Sequence, residues 1–336
     1  MSIVAEQELI FPQTEVFPYE TPAFQQCWWE FLAPKFDIPV KNGDLLIYRR
    51  PVLKGMLKMR EARIAGWNNA WHQDLTTSRI EELEELAQTS GWDYFRMTWN
   101  ETRANRQTFA LLTEKGFPTL QLQAPTQYAI DLSDGFEGYL QGLSHNSRKS
   151  LKKKTRKGQV LNPEIISYQN EADIDGFFEE LFRHHIAYWD EKAGRSYFND
   201  IEERNFIVNW AKSLHHSGQL ALDRLVMGGE TVNLSMGILS GKTFYWLLTI
   251  NTGLHHAYVP GIIGLYMRLE QLAAQGITSF KMGSGDYFYK VQSANQLETC
   301  RELIVCNPRS LKGKAYFQWL SRQKPLPTGQ NDEQDT

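Results

Sequence analysis

After a strand-like stretch at 242–249 and before another at 277–282, the chain reads Tyr258-Val259-Pro260-Gly261-Ile262-Ile263-Gly264-Leu265-Tyr266-Met267-Arg268. A Pro-Gly pair opening an apolar helix directly after a strand leaves backbone N–H groups without partners at the helix start. With the positive end of the helix dipole, those groups form a seat for phosphate or pyrophosphate. A plain strand-to-helix turn that needs glycine for its backbone angles explains the same residues. Assigning Pro260, Gly261 and Gly264 to a donor seat therefore depends on the surrounding chain.

Those surroundings form two α/β halves. Before the Pro-Gly helix come three strands, 219–227, 231–239 and 242–249, joined by the short turns Gly228-Gly229 and Ser240-Gly241. Two helices precede them. Asn170 is expected to cap the first, with Ile174, Phe177, Phe178, Leu181, His185 and Trp189 at helical spacing; the second runs over 200–215. A helix at 261–275, the strand 277–282, a Gly-rich turn, a strand at 302–305 and a helix at 311–322 follow. The first half predicts helices at 21–36, 79–88 (after the caps Thr76, Thr77 and Ser78) and 105–115, with strands at 44–50, 93–98 and 120–132. A long polar helix over 136–157 ends intensely basic. The expected divisions are an N-terminal half at 1–135, a basic junction helix at 136–160, a C-terminal domain at 161–322 and a disordered tail at 323–336.

Composition removes several classes of function. A net charge of −3 gives no global attraction to nucleic acid or membrane. The three cysteines, Cys27, Cys300 and Cys306, form no CxxC pair and fit buried thiols in a reducing compartment. No run approaches 18 apolar residues and no secretory leader pattern is visible, so a cytoplasmic location without a membrane span is expected. The adjacent pairs His184-His185, His215-His216 and His255-His256 are poor chelates and lack metal-site spacing, so no metal is expected. His255 and His256 are loop residues just ahead of the Pro-Gly pair. Trp28, Trp29, Trp67, Trp71, Trp92 and Trp99 are read as packing residues.

Two motifs carry a family resemblance. Leu143-Ser144-His145-Asn146-Ser147-Arg148-Lys149-Ser150-Leu151-Lys152-Lys153-Lys154 resembles the basic helix of the CelD/BcsL-type acyltransferases of cellulose biosynthesis. Pro260-Gly261, followed by Gly283-Ser284-Gly285-Asp286-Tyr287-Phe288-Tyr289-Lys290, resembles the same family's second block. The family is similar to the FemABX group and to Gcn5-related N-acetyltransferases (GNAT). The chain departs from the family at Lys281, where aspartate is usual, and from the general GNAT signature at Tyr258 and Ile263. The resemblance implies an α/β (α+β) fold of two GNAT-like halves, each a mixed, mostly antiparallel sheet flanked by helices. It also implies acyl transfer from acetyl-CoA or another acyl-CoA to an amino or hydroxyl group of a saccharide or envelope precursor.

Direct attack on a thioester needs a base, an acid for the leaving thiolate and a donor to the developing oxyanion. The strand 242–249, at Leu248, would supply a backbone N–H and line the donor. Asp286 is the candidate base and Tyr287 or Tyr289 the candidate acid. Arg148 and Lys152, four apart on one helical face, are expected to clasp an anionic acceptor, with Lys149 beside them and Lys290 lining the substrate site. The alternatives are an aminoacyl-tRNA donor, the one case in which nucleic acid enters, or a non-catalytic module holding RNA or anionic lipid on the basic helix.

Overall fold

Hairpins of alternating residues build the first sheet. The computed structural model describes residues 17–42, 45–54, 57–66, 80–88, 91–100, 103–192 and 194–322. Trp67, Trp71, the caps at 76–78 and the tail at 323–336 lie outside them. Packing divides the chain into two units: residues up to Leu32 with Gln127–Leu297, and Ala33–Thr126 with the chain from Glu298 onward. In the second, β1 (Asp37–Asn42), β2 (Leu45–Lys54) and β3 (Leu57–Ile64) form a meander, and β4 (Tyr94–Asn100) pairs with β3 in parallel. β13 (Cys300–Cys306) lies between β4 and β5 (Thr119–Gln123), antiparallel to both. The strand expected at 302–305 thus belongs to the sheet of the first half, because its apolar residues complete that core.

Helices α2 (Ile80–Gln88) and α3 (Arg103–Glu114) contribute Leu83, Leu86 and Leu112 to a core with Trp92, Phe95, Trp99 and Leu303. Helix α10 (Leu311–Ser321) contributes Tyr316 and Leu320 to a second core with Met59, Tyr94, Ile304 and Cys306. Burial pushes the Cys306 thiol up to about 12, consistent with a core role. Glu61 is wholly buried and accepts from Arg50 Nε at 2.9 Å, Arg63 Nε at 2.6 Å and Tyr94 Oη at 2.7 Å. Burial alone would raise its pKa; Arg63, the Tyr94 hydroxyl, Arg50 and Arg96 together hold it below the usual range.

The other unit holds a seven-stranded sheet in the order β12-β6-β11-β10-β9-β8-β7. Its strands are β6 (Gln127–Asp131), β7 (Glu164–Ser167), β8 (Leu220–Met227), β9 (Glu230–Ser240), β10 (Thr243–Asn251), β11 (Ser279–Ser284) and β12 (Gln296–Glu298). The single strand expected at 120–132 is therefore two strands in two sheets, interrupted at Pro125, which lacks an N–H for a ladder. The single helix expected at 136–157 is also two, α4 (Gly135–Gly142) and α5 (His145–Gly158). Leu143 is extended, and Ser144 Oγ accepts from Ser147 N at 3.1 Å to cap α5.

Helix α6 (Ala172–Glu191) begins without the expected Asn170 side-chain cap; Asn170 supplies its backbone carbonyl to Asp173 N instead. Asp200 caps α7 (Ile201–His216) through Glu202 N. Helix α1 (Pro22–Cys27) packs on α7, with Phe24 edge-on to Phe206 and Trp210 at 5.6 and 4.9 Å. Helix α8 (Pro260–Ala274) and α4 cover a core of Leu265, Leu269, Phe244, Trp246, Phe280 and Tyr139. Among the described residues no helix is long and apolar enough to cross a membrane.

Gly237 allows the Phe244 ring to cross β9: a Cβ there would lie 1.9 Å from Phe244 Cζ, a ring that is itself stacked on Phe280 at 5.1 Å. Gly176, in α6, has no atom within 4 Å of an added Cβ. Gly237→Ala is expected to destabilise by about 2–3 kcal/mol through overpacking, whereas Gly176→Ala should stabilise by roughly 0.5–1 kcal/mol. Urea unfolding of the two variants checks both signs.

Candidate functional site

The middle of the seven-stranded sheet opens. β10 and β11 run parallel, but their pairing is confined to Thr243–Tyr245 against Ser279–Lys281. Beyond it β10 stays with β9 alone, while Gly283 and Ser284 of β11 pair with Tyr128 and Gln127 of β6. The β9 register slips between Trp246 and Leu248, so Leu247 is an extra residue. Such a bulge bends the strand and interrupts its ladder. It also turns Leu248 to the face of its partner Met236, and sends Thr249 and Asn251 to the face of Ser235 and Asn233.

Helix α8 starts at the far end of that stretch. Its N-cap residue, Val259, has φ 52° and ψ 56°, a costly left-handed conformation for a β-branched residue. Pro260 follows, and Val259 O accepts from Ile262 N and Ile263 N at 3.0 and 3.3 Å. A Cβ on Gly261 would lie 3.1 Å from Asn251 Nδ2, so a larger residue there meets β10 rather than a ligand, contrary to the simple expectation for a phosphate seat. Asn251 is itself held by buried Asn233, whose Nδ2 lies 3.0 Å from Asn251 Oδ1 and Thr249 Oγ1. Gly264 faces the same way, toward Leu225 and Asn233.

Two turns along α8, buried Arg268 donates through Nε to Asp223 Oδ2 at 2.9 Å and through Nη2 to the other carboxylate oxygen. Its guanidinium lies 5.6 Å from the Trp246 ring centre. Ahead of α8, His255 also has φ 51°. Its Nε2 is 2.9 Å from Glu230 Oε2, without hydrogen-bond alignment.

Helix α5 brings its basic end to this place. Lys157 Nζ donates to Ala257 O at 2.9 Å and lies 5.1 Å over the Tyr258 ring. Gly158 approaches Ile263 so closely that a Cβ would lie 2.2 Å from its Cδ1. Lys152, Lys153, Arg156 and Lys157 line a cavity of about 450 Å³. Arg148 is turned away from it, donating from Nη1 to Gln141 O at 2.7 Å, and Lys149 is not among the lining residues. Arg148 and Lys152 are thus not brought together in that cavity, whose cations lie toward the helix end.

A second group gathers on the turn after β11. Gly285 has φ 99°, and a Cβ there would lie 2.9 Å from the Tyr287 ring, so both backbone and space require glycine. Exposed Asp286 accepts from Tyr128 Oη at 2.8 Å, and that bond raises the Tyr128 pKa. Helix α9 (Phe288–Ser293) follows. Tyr289 is half-buried, edge-on to Trp246 at 5.9 Å and stacked on Tyr287 at 6.1 Å; burial keeps its phenol protonated well above the usual range. Tyr287 is exposed. Lys290 is buried, donates to Ser284 O at 2.6 Å and has no carboxylate partner among the described residues; burial pulls its pKa down to about 8. Behind it, Tyr139 Oη donates to Ser293 O at 2.7 Å, fixing α9 to α4.

Tyr289, Lys290, Asp286 and Tyr287 are therefore neighbours, and Trp246 links them to the opened β10. Pro260, Gly261 and Gly264 lie at the other end of that stretch, roughly 16 Å away along five residues of extended chain. Sequence reasoning missed Tyr128, Asn233, Asn251 and Trp246. A polar residue closing an otherwise apolar strand, as Asn251 does, was the one local sign. Among the described residues no three His, Cys, Asp or Glu side chains group as metal ligands. Buried His185 resembles half of a catalytic dyad, with Nδ1 2.9 Å from Ser196 Oγ. However, Trp189 Nε1 donates to its Nε2, so Nδ1 carries the proton and cannot act as a base toward the serine.

Residues 145–291, which hold the opened parallel pair and the helix start beyond it, match the family model described as "Acetyltransferase (GNAT) domain". Among solved structures, a conserved protein of unknown function from Bacteroides thetaiotaomicron is similar at 13% identity and TM-score 0.55, covering 89% of this chain and 95% of its own. FemX is similar at 9% identity and TM-score 0.55, covering 95% and 99%. L-PGS from Bacillus licheniformis is similar at 12% identity and TM-score 0.54, covering 90% and 96%. At these identities the likeness is one of fold. No curated protein matches the sequence.

Lys290 generates a prediction about stability. Its folded pKa is near 8 against an ordinary 10.5, so the unfolded chain binds the extra proton between those values. Stability should rise as pH climbs from about 8 to 10.5, and the burial cost is fully present below 8. Lys290→Met is expected to be more stable than the parent at pH 7, by up to roughly 3 kcal/mol. The difference should shrink by pH 10.5 in denaturant titrations at both pH values.

Proposed function

We propose that the protein is an acyltransferase using an acyl-CoA thioester, acetyl-CoA first, and acylating an amino or hydroxyl group of a saccharide or envelope precursor. The observation that carries this reading is the opening between β10 and β11, with the α8 start at one end and Tyr289 at the other. A donor laid along β10 would have its phosphates at the α8 start and its thioester near Trp246. Backbone N–H groups around the Leu247 bulge, Leu248 included, would meet the carbonyl oxygen as it becomes an oxyanion. The acceptor attacks the carbonyl carbon, its proton leaves, the C–S bond breaks and the thiolate is protonated. Tyr289, kept neutral by burial, suits that last step. Lys290, whose pKa burial lowers to about 8, and the exposed Asp286 four residues before it are the candidates for taking the acceptor's proton. The location proposed for this chemistry is the cytoplasm.

The cations on α5 favour a second reading, in which the donor is an aminoacyl-tRNA and the cavity of Lys152, Lys153, Arg156 and Lys157 holds its backbone. Calorimetric titration with acetyl-CoA separates the two. Binding to the parent is expected, together with weaker binding by Gly261→Val, whose side chain must displace Asn251 and the α8 start. No binding to any acyl-CoA would leave the tRNA donor.

Tyr289→Phe keeps the ring against Trp246 and removes the proton. Its kcat is expected to fall by about 10²-fold or more with donor affinity unchanged. Tyr287→Phe should stay within about threefold of the parent, since its ring is exposed and stacks without bonding. Steady-state kinetics on both variants would move the acid role to Tyr287 if that order were reversed.

A further inference from the structure

In the unit built on β1–β5 and β13, Arg49, Arg50, Arg63 and Arg96 are all paired with carboxylates. The cations at one end of its sheet are not. Residues 51–60 carry Lys54, Lys58 and Arg60, residues 307–314 carry Arg309, Lys312 and Lys314, and neither segment contains an Asp or Glu. None of the six has an ion pair among the described residues. The fold brings the segments together: Lys312 Nζ donates to Lys58 O at 3.0 Å, and Lys54 Nζ lies 5.9 Å over the Tyr316 ring. Lys58, Arg60, Arg309 and Lys312 share the lining of a cavity of about 820 Å³. The carboxylate in that cavity, Asp93, is already engaged by Arg60 N at 2.8 Å and Ser310 Oγ at 2.5 Å.

Leucines stand among these charges. Leu53 is 67% exposed, Leu57 44% and Leu311 82%. Leu53 pairs across the hairpin with Lys58 on one face of the sheet and Leu57 with Lys54 on the other, so each face carries a leucine beside a cation and only an end-on approach meets both. One exposed leucine is ordinary; three in a basic setting without carboxylates are the makeup of a surface that inserts into a headgroup layer. The exposed ring on α10, Trp319, already has one face stacked on Tyr316 at 5.8 Å, and single-stranded nucleic acid, which binds by stacking bases on such rings, is an outcome the test below separates.

We propose that the β2–β3 hairpin end and the start of α10 form a docking surface for an anionic lipid bilayer. The leucines enter the acyl boundary and the cations meet lipid phosphates. The surface belongs to the unit that does not carry the acyl-transfer residues, so the proposal stands whether or not that reading holds.

Flotation of the full chain with vesicles of phosphatidylcholine, and of phosphatidylcholine mixed equally with phosphatidylglycerol, tests it. Binding to the anionic vesicles alone, weakened by salt, is expected. Leu53→Ser/Leu57→Ser/Leu311→Ser should lose at least tenfold in vesicle affinity, as should Lys58→Glu/Arg309→Glu/Lys314→Glu. Circular dichroism confirms that both stay folded, and their acetyl-CoA binding should match the parent's. The control Lys152→Glu/Lys153→Glu on α5 should float as the parent does. The proposal is overturned if the parent does not bind, if the leucine variant floats normally, or if only the α5 variant loses binding. RNA that binds tightly and leaves the leucine variant unaffected would also overturn it.

Discussion

A guanidinium buried beneath a helix must be neutralised where it lies, and Arg268 meets Asp223 across the space between α8 and the sheet. Neither charge has water to return to, so a shift of α8 along the sheet would leave both uncompensated. The pair need not make the fold more stable than an apolar contact would. What it fixes is position: α8 cannot slide without parting it. With α8 held, its start must stay beside Asn251, and the Arg268 guanidinium stays against Trp246, the residue from which the Leu247 bulge departs. Tyr289 rests on the same indole. Both ends of the opened strand are thus referred to one ion pair.

The elements of the second half were legible because their signals are local. Gly-Gly and Ser-Gly turns delimit a meander, Pro-Gly opens a helix, and phenylalanines at helical spacing mark α6. The first half was harder. β3 alternates its apolar residues with lysine, arginine and glutamate, and β1 holds a proline and two charged residues, so neither has an obvious strand composition. The run at 120–132 is uniformly strand-like, and only Pro125 hints that it serves two sheets. For the site, the turn at 283–290 could be read from its glycines and phenols. Its partners could not, since Tyr128 lies 158 residues from Asp286 and the helix break at Leu143-Ser144 decides which lysines reach α8.

Lys290 illustrates how burial changes what a residue type can do. On a surface it would be a permanent cation; beneath Tyr287 and against Ser284 O it has an appreciable neutral fraction near physiological pH. Tyr289 moves the opposite way, retaining its proton under the same desolvation. One apolar setting thus yields a readily deprotonated amine and a firmly protonated phenol at adjacent positions, a division of acid and base made by environment rather than by residue type.

The place of β13 between β4 and β5 also sets an order of events. Met97 and Leu303 face each other across the ladder, yet about 200 residues separate them in the chain. At ribosomal rates of roughly 5–20 residues per second, β4 waits on the order of 10–40 s for that neighbour. During that interval β4 and β5 have no strand between them, and the core around Trp99 lacks Leu303 and Val305. The sheet nearest the N-terminus is consequently the last to close, and until then its open edges are a site for mispairing or for a chaperone.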